Sequence, residues 1–329
     1  MRLDNYLLLF EELNNPNFKK SICLYGVSDI VSRLYYDLKI VYKRHLTKII
    51  KERLSIPYTT LYCWLKGTNP IPISKAYLFL LFWKNECLKS DLEFSKIWDD
   101  FYYLNEGYSQ NSQIKVVLPR EIGSNLSYLI GFFQGDGHMK KKSTKSFQEH
   151  SLYFYEADKK MLEKINDLLY ELFNVKGNIY YQSNSTGSWY SLRLSSKPVY
   201  LFFEKVLGLK SGKKVREVNT PDIIKKVQFD TQLSFIRGFF DAEGGVGETY
   251  KNPWLEIGQA SKDFPSEILV WIQNKLCELN IFLTKPQKSA NQDYFRLRTS
   301  NRDTINKFFK AISSYHPKKL NRFETIINK

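Results

Sequence analysis

The chain repeats itself, and this restricts its fold more than any single residue does. Ile130-Gly-Phe-Phe-Gln-Gly-Asp-Gly137 recurs as Arg237-Gly-Phe-Phe-Asp-Ala-Glu-Gly244, which puts Asp136 and Glu243 107 positions apart. Glu156-Ala157 returns as Gln259-Ala260 and Arg193-Leu194 as Arg296-Leu297, both at an offset of 103, and Lys213-Lys214 as Lys318-Lys319 at 105. Landmarks that keep their order at nearly constant spacing imply one supersecondary unit used twice. In each copy an apolar helix (Leu126–Gln134, Leu233–Phe240) runs into the acidic motif, and a strand of alternating pattern follows (Leu152–Tyr155, Trp254–Ile257). Apolar residues at helical spacing come next: Met161, Leu162, Ile165, Leu168, Leu169 and Leu172, then Ile268, Leu269, Ile272, Leu276 and Leu279. Two further strands (Asn178–Gln182 with Tyr190–Leu194, Leu283–Gln287 with Tyr294–Arg298) and a closing helix (Val199–Val206, Arg302–Ile312) complete an α+β unit.

Gly131 and Gly135 are four apart, as are Gly238 and Ala242, so each pair shares a helix face small enough for another helix to approach closely. If the two copies pair along these faces, each acid falls one residue past the second small position, at a helix C-terminus. Two carboxylates brought together there repel, and both helix dipoles add to the strain, so cations between them are expected. The four cysteines lie far apart with no Cys-x-x-Cys pair, and the four histidines are scattered, which argues against zinc. Oxygen donors beside a phosphate describe Mg²⁺ chemistry on a phosphodiester.

A formal charge of +15, from 49 Lys and Arg against 34 Asp and Glu, points to a polyanion as partner. The longest clean apolar run, Ala76 to Trp83, is far short of the roughly 20 residues that span a bilayer. Acidic Asp4, Glu11 and Glu12 break any secretory signal, and the isolated cysteines suit a reducing interior, so an intracellular, nucleoid-associated protein is expected. Residues 1–115 stand outside the repeat. Within them Leu46–Leu54 and Tyr58–Leu65, joined through Ser55-Ile56-Pro57 and closed by Gly67, read as a helix-turn-helix offering Tyr58, Thr59, Thr60, Tyr62 and Lys66 to a groove. The polar stretch Asn105–Ser124 reads as a linker.

Leu129-Ile-Gly-Phe-Phe-Gln-Gly-Asp-Gly137 and Ile236-Arg-Gly-Phe-Phe-Asp-Ala-Glu-Gly244 resemble the two motifs of the single-chain LAGLIDADG homing endonucleases, and Trp189–Lys197 is similar to strand segments of archaeal members. The resemblance covers about two-thirds of the chain, from Ser124 to Lys329. It implies a pseudo-twofold pair of αββαββα repeats, 116–225 and 226–329, whose saddle-shaped antiparallel sheets lie in the DNA major groove, preceded by an all-α helix-turn-helix domain over 1–115. It implies metal binding by Asp136 and Glu243, helped by the backbone of Gly135 and Ala242, with Mg²⁺ as cofactor and Mn²⁺ as a substitute. Family sites carry a polar residue, often Gln, at the end of the second core strand; Gln259 matches it and Glu156 does so loosely. Some members follow it with a Lys, where this chain has Ala157 and Ala260, so Lys214 is the expected auxiliary group, with Lys319 and Lys197 as alternatives. Gln134 departs from the Asp common at the motif's sixth position.

On that fold Arg193, Arg296 and Arg298 are expected to read base edges, and Lys140, Lys141, Lys142, Lys197, Lys213, Lys318 and Lys319 to meet DNA. The expected activity is Mg-dependent double-strand cleavage of a long DNA target by a monomer. The alternatives are an intron RNA-splicing maturase, with host intron RNA as partner, and a non-cutting DNA-binding regulator. An intein origin is not expected, since the sequence opens at Met1 and lacks a terminal His-Asn.

Overall fold

The computed structural model describes residue 3 and residues 22–110, 114–143, 148–185, 187–210, 218–249, 252–289 and 293–328. The N-terminal region runs β1 (Ile22–Tyr25), α1 (Ser28–Tyr42), α2 (Leu46–Leu54), α3 (Tyr58–Leu65), β2 (Ile71–Pro72), α4 (Ile73–Glu86), α5 (Asp91–Leu104) and β3 (Gly107–Gln110). Helices dominate it, as expected, and a three-stranded sheet ordered β2-β1-β3 is added. Helix α2 closes on Ser55 in the left-handed conformation, and Gly67 (φ 67°) follows α3, so the two short helices lie where the sequence puts them. Helix α5 starts with a capping box between Ser90 and Glu93.

The segment read as a linker is not a free tether. Its residues Gly107–Gln110 pair with β1, Val116 bridges Tyr108, Val117 N–H donates to Phe173 O at 3.0 Å, and Leu118 and Ile122 are buried. The polar composition misled because this stretch is held through its backbone and through a few apolar side chains, Val116, Leu118 and Ile122, set among polar ones.

Each repeat then follows the expected αββαββα order. The first is α6 (Ser124–Asp136), β4 (Gly137–Ser143), β5 (Gln148–Glu156), α7 (Lys159–Phe173), β6 (Asn178–Asn184), β7 (Gly187–Ser195) and α8 (Lys197–Leu201), which continues as one π-helical turn, Phe202–Val206. After short α9 (Asp222–Lys225), the second is α10 (Phe229–Glu243), β8 (Gly244–Thr249), β9 (Asn252–Ala260), α11 (Glu267–Glu278), β10 (Gln287–Lys288), β11 (Tyr294–Thr299) and α12 (Arg302–Ala311), with α13 (Pro317–Ile327) added. The two antiparallel sheets share one topology, β4-β5-β7-β6 and β8-β9-β11-β10. The strand expected at Leu283–Gln287 shrinks to Gln287–Lys288.

Register corrects one of the repeat offsets. Gly137 faces Phe154 and Gly244 faces Ile257, which keeps β5 and β9 at 103. Tyr153 faces Arg193 while its counterpart Glu256 faces Arg298, so β7 and β11 are offset by 105 and Arg193 corresponds to Arg298, not Arg296. The helix caps agree: Ser196 and Asn301, also 105 apart, each accept from the N–H three residues on. A two-residue slip keeps every side chain on its face, which is why the sequence pattern did not expose it. Farther on, Asn219 and Tyr315, 96 apart, meet the equivalent side chains Gln134 and Asp241, and Lys318-Lys319 follow Pro317, while Lys213-Lys214, expected as their counterparts, lie outside the described residues.

Helices α6 and α10 meet along their small faces, and the contact exchanges symmetrically. A Cβ on Gly131 would lie 2.1 Å from Phe235 O, and one on Gly238 would lie 2.0 Å from Tyr128 O. Ser127 Oγ donates across the seam to Thr231 O at 2.6 Å. Phe132, Phe133, Phe239 and Phe240 are fully buried around it. Leu152, Phe154, Leu192 and Leu194 close the core from the first sheet, and Leu255, Ile257 and Leu297 do so from the second.

Alanine at Gly131 or Gly238 gains about 1 kcal/mol of helix propensity, but it collides with backbone oxygen, which cannot rotate away. We predict that each substitution lowers unfolding stability by about 2 kcal/mol or more, read from thermal or urea unfolding; an unchanged midpoint would contradict the seam.

Candidate metal centre and nucleic-acid interface

Asp136 is the last residue of α6 and Glu243 the last of α10, and both are half-buried. The seam delivers them to one end of the helix pair. A Cβ on Gly135 would lie 2.4 Å from Ala242 Cβ and 2.8 Å from Glu243 Cγ, so the Glu243 side chain crosses the residue that precedes Asp136. The glycine after each acid closes its helix with an N–H to Phe133 O or Phe240 O. A Cβ there would stand 2.3 or 2.2 Å from the same phenylalanine's ring. Acid followed by glycine is thus a packing requirement, and it places both carboxylates at the negative ends of two dipoles.

Gln259, near the end of β9, is 6% exposed, and its Oε1 has no hydrogen-bond partner among the described residues. Glu156, the counterpart on β5, is engaged: its carboxylate accepts from Ala157 N–H at 2.6 Å and Asp158 N–H at 3.2 Å, and lies 3.6 Å from His316 Nε2. Burial works to raise its pKa, but His316 and these N–H groups outweigh it and hold the carboxyl below its usual range. Tyr294 has its hydroxyl where a Cβ on Gly258 would stand. Burial, then the charges of Glu243 and Glu256, push that hydroxyl up to about 12.

Lys319 is the cation of this neighbourhood. Its ammonium donates to Phe240 O at 2.8 Å and Asp241 O at 2.7 Å, capping α10. Burial pushes its pKa down, against the opposing charges of Asp241, Glu156, Asp136 and Glu243. Among the described residues no three His, Cys, Asp or Glu side chains form an ion-holding group by themselves. What the structure brings to the end of the seam is two carboxylates, Asp136 and Glu243, with the buried, unpartnered Gln259 oxygen near the end of β9. Such oxygens are hard donors, the kind that Mg²⁺ or Mn²⁺ takes.

The residues at the motif's sixth position anchor the helices. Asp241 is fully buried and accepts from Tyr128 Oη at 2.7 Å, Tyr315 N–H at 2.8 Å and Ser314 Oγ. Tyr128 comes from the other repeat, and its hydroxyl pKa is raised well above the ordinary value by burial first and by Asp241 second. Gln134 faces the equivalent segment, but there Nε2 donates to Asn219 O at 2.9 Å. A carbonyl needs a donor and an N–H needs an acceptor, so Gln at one site and Asp at the other are each dictated by their partner. Sequence reading missed this network; the signal was the second repeat of Thr-Pro and His-Pro at Thr220-Pro221 and His316-Pro317.

The expected DNA residues scatter in their surroundings. Lys140 and Lys141 are exposed on β4, Lys140 3.6 Å from Glu149; the Lys142 side chain lies outside the described residues, as do Lys213 and Lys214. Arg193 and Arg296 are each 36% exposed and ion-paired, with Glu149 at 2.9 Å and Glu256 at 3.5 Å. Arg298 is half-buried, with Nε shielded and without a hydrogen-bond partner among the described residues. Lys197 departs from the expected surface position: at 3% exposed it is buried at the start of α8, packed toward β5. Lys318 is exposed, 3.5 Å from Asp158. Tyr58 and Tyr62 are 59% and 49% exposed on α3, with Thr59 and Lys66 also exposed, Thr60 half-buried, and Lys66 over the Tyr62 ring.

Comparison with known proteins agrees with the repeat. The sequence profile of a family described as LAGLIDADG-like domain matches residues 124–207 and again 230–313, together just over half of the chain. Two curated proteins of Methanocaldococcus jannaschii contain similar segments. The glutamine–fructose-6-phosphate aminotransferase is 27% identical over 65% of this chain, and the replication factor C small subunit is 26% identical over 97% of it. The matched segments span only 18% and 16% of those proteins' lengths. Among solved structures, I-DmoI in complex with DNA and Mn is 25% identical, with a TM-score of 0.43 over 60% of this chain and 99% of that one.

We predict that Asp241→Asn, which turns an amide toward donors, costs about 1–3 kcal/mol of stability. Gln134→Glu, which turns a carboxylate toward the Asn219 carbonyl, should cost a similar amount. Denaturant unfolding checks both; two neutral substitutions would contradict the anchoring role.

Proposed function

Because this chain belongs to the LAGLIDADG-like domain family and carries two copies of the domain, we propose that it is a sequence-specific, metal-dependent DNA endonuclease that cuts both strands of a long target. The observation that carries this reading is the convergence of Asp136 and Glu243 at one end of the α6–α10 seam, with Glu243 lying across Gly135. A pure binder has no use for two anions held against two helix dipoles.

In this reading Asp136 and Glu243 present oxygens to divalent ions, and the buried Gln259 oxygen and the carbonyls of Gly135 and Ala242 complete the donor set. When bound there, a divalent ion would supply Lewis acidity toward an attacking water and the 3′-oxygen of a phosphodiester. Lys319 tempers the local negative charge and fixes the end of α10. The outward faces of the two sheets lie in the major groove, where Arg193, Arg296 and Arg298 read base edges while Lys140, Lys141 and Lys318 meet phosphates. Since one chain supplies both acids, a monomer suffices. Helix α3 adds a separate contact through Tyr58, Thr59, Tyr62 and Lys66.

Lys319 also favours a second reading, a DNA binder of the same fold that does not cut, because an ammonium among the acids can stand in for a missing ion. The experiment that separates the two is cleavage of a randomised duplex library with Mg²⁺ or Mn²⁺. We predict that the wild-type chain cuts selected sites and that Asp136→Asn and Glu243→Gln abolish cutting while still binding those sites. Binding without cutting by the wild type supports the second reading, and persistent cutting by either variant rejects the metal site.

Lys66→Ala should weaken binding and reduce the slope of log affinity against log salt by about 1. An unchanged slope would remove α3 from the DNA interface.

A further inference from the structure

The outward face of the first sheet holds a buried carboxylate that the proposed chemistry does not use. Along β5, Leu152 and Phe154 point into the core, so Glu149, Ser151 and Tyr153 share the opposite face. Glu149 on that face is nevertheless only 7% exposed. A buried carboxylate must be compensated, and this one is. Its Oε1 accepts from Tyr153 Oη at 3.0 Å and from Arg193 Nη2 at 2.9 Å, and its Oε2 lies 3.6 Å from Lys140 Nζ. Arg193 is in turn held by a second donor, with Nε 3.4 Å from Ser151 Oγ, and its guanidinium lies 5.8 Å from the Tyr153 ring centroid. The Nε/Nη2 edge and one face of the fork are therefore fixed, while the side chain keeps 36% exposure and its Nη1 end remains for a base.

An unbraced arginine on a sheet surface samples many rotamers and loses that freedom on meeting a base; one already fixed does not, and it presents its planar fork in one direction. The second sheet uses the same device one register step away: Glu256 pairs with Arg296 at 3.5 Å and stands opposite Arg298. Two sheets that place a carboxylate against the arginine on the same outward face, through different residues, indicate a constraint on the arginine rather than on the acid.

We propose that Glu149 is a positioning residue for sequence reading: it clamps Arg193 in one orientation over Tyr153, so that base preference beneath Arg193 depends on a carboxylate that touches no base. This rests on the DNA-binding reading above. It is distinct from that reading in predicting that removal of a negative charge, which should strengthen binding to any DNA, weakens discrimination instead.

The test is selection of bound duplexes from a randomised double-stranded DNA library by the full chain in EDTA, where cutting is absent. Glu149→Gln should relax preference at one or two adjacent base pairs by about 10-fold, the scale of one bidentate base contact, while affinity for scrambled duplex holds or rises. Arg193→Ala should relax the same positions, and the double variant should be no worse than Arg193→Ala alone. A wild-type profile for Glu149→Gln, a change at different positions, or additive effects in the double variant would overturn the proposal. If Glu149→Gln loses its near-ultraviolet circular dichroism, Tyr153→Phe takes its place, with relaxation at the same positions expected and a wild-type profile counting against the clamp. A wild-type chain that selects no sequence at all would overturn the DNA-reading function itself.

Discussion

Two helices that touch through their backbones determine most of what this molecule can do. At Gly131 and Gly238 the opposing element is a main-chain oxygen, so the approach has no slack and no side chain can adjust it. That closeness turns two separate α+β units into one body with a shared seam. It also brings two acids, 107 positions apart in sequence, to a common end. Without it each carboxylate would be an ordinary helix-terminal residue in water.

Around the seam the fold spends polar groups on holding the helices in place. Asp241 gathers three donors, one of them the Tyr128 hydroxyl from the other repeat, and Lys319 satisfies the last carbonyls of α10. Losing any one of these would leave a buried group unmatched, which is costlier than never having had the pair. The asymmetry between Gln134 and Asp241 shows how far two copies can diverge while keeping one geometry: the side chain changes type when its backbone partner changes from acceptor to donor.

The doubled motif, its two acids and most of each repeat's elements were legible from sequence because they depend on local periodicity and on small residues at helical spacing, while the full αββαββα order came from the family resemblance. The first strand of each sheet was not read from residue pattern. Gly137–Ser143 carries three lysines and Gly244–Thr249 three glycines, which are poor strand formers made into strands by pairing with β5 and β9. The correspondence of Arg193 with Arg298 needed register, which a pattern of period two cannot distinguish from a slip of two. Lys197 looked like a surface base beside a strand and proved buried, since Pro198 turns the chain into α8 at that point. The segment Asn105–Ser124 looked like a linker because its composition is polar, whereas its backbone is bonded on both sides.

The convergence of Asp136 and Glu243 on divalent ions is most directly tested by anomalous scattering from crystals of the full chain grown with Mn²⁺ and its selected DNA duplex. The account predicts manganese peaks at the end of the α6–α10 seam, ligated by both carboxylates and next to a phosphate. Peaks elsewhere, or the Lys319 ammonium lying between the two carboxylates with no manganese beside them, would contradict it.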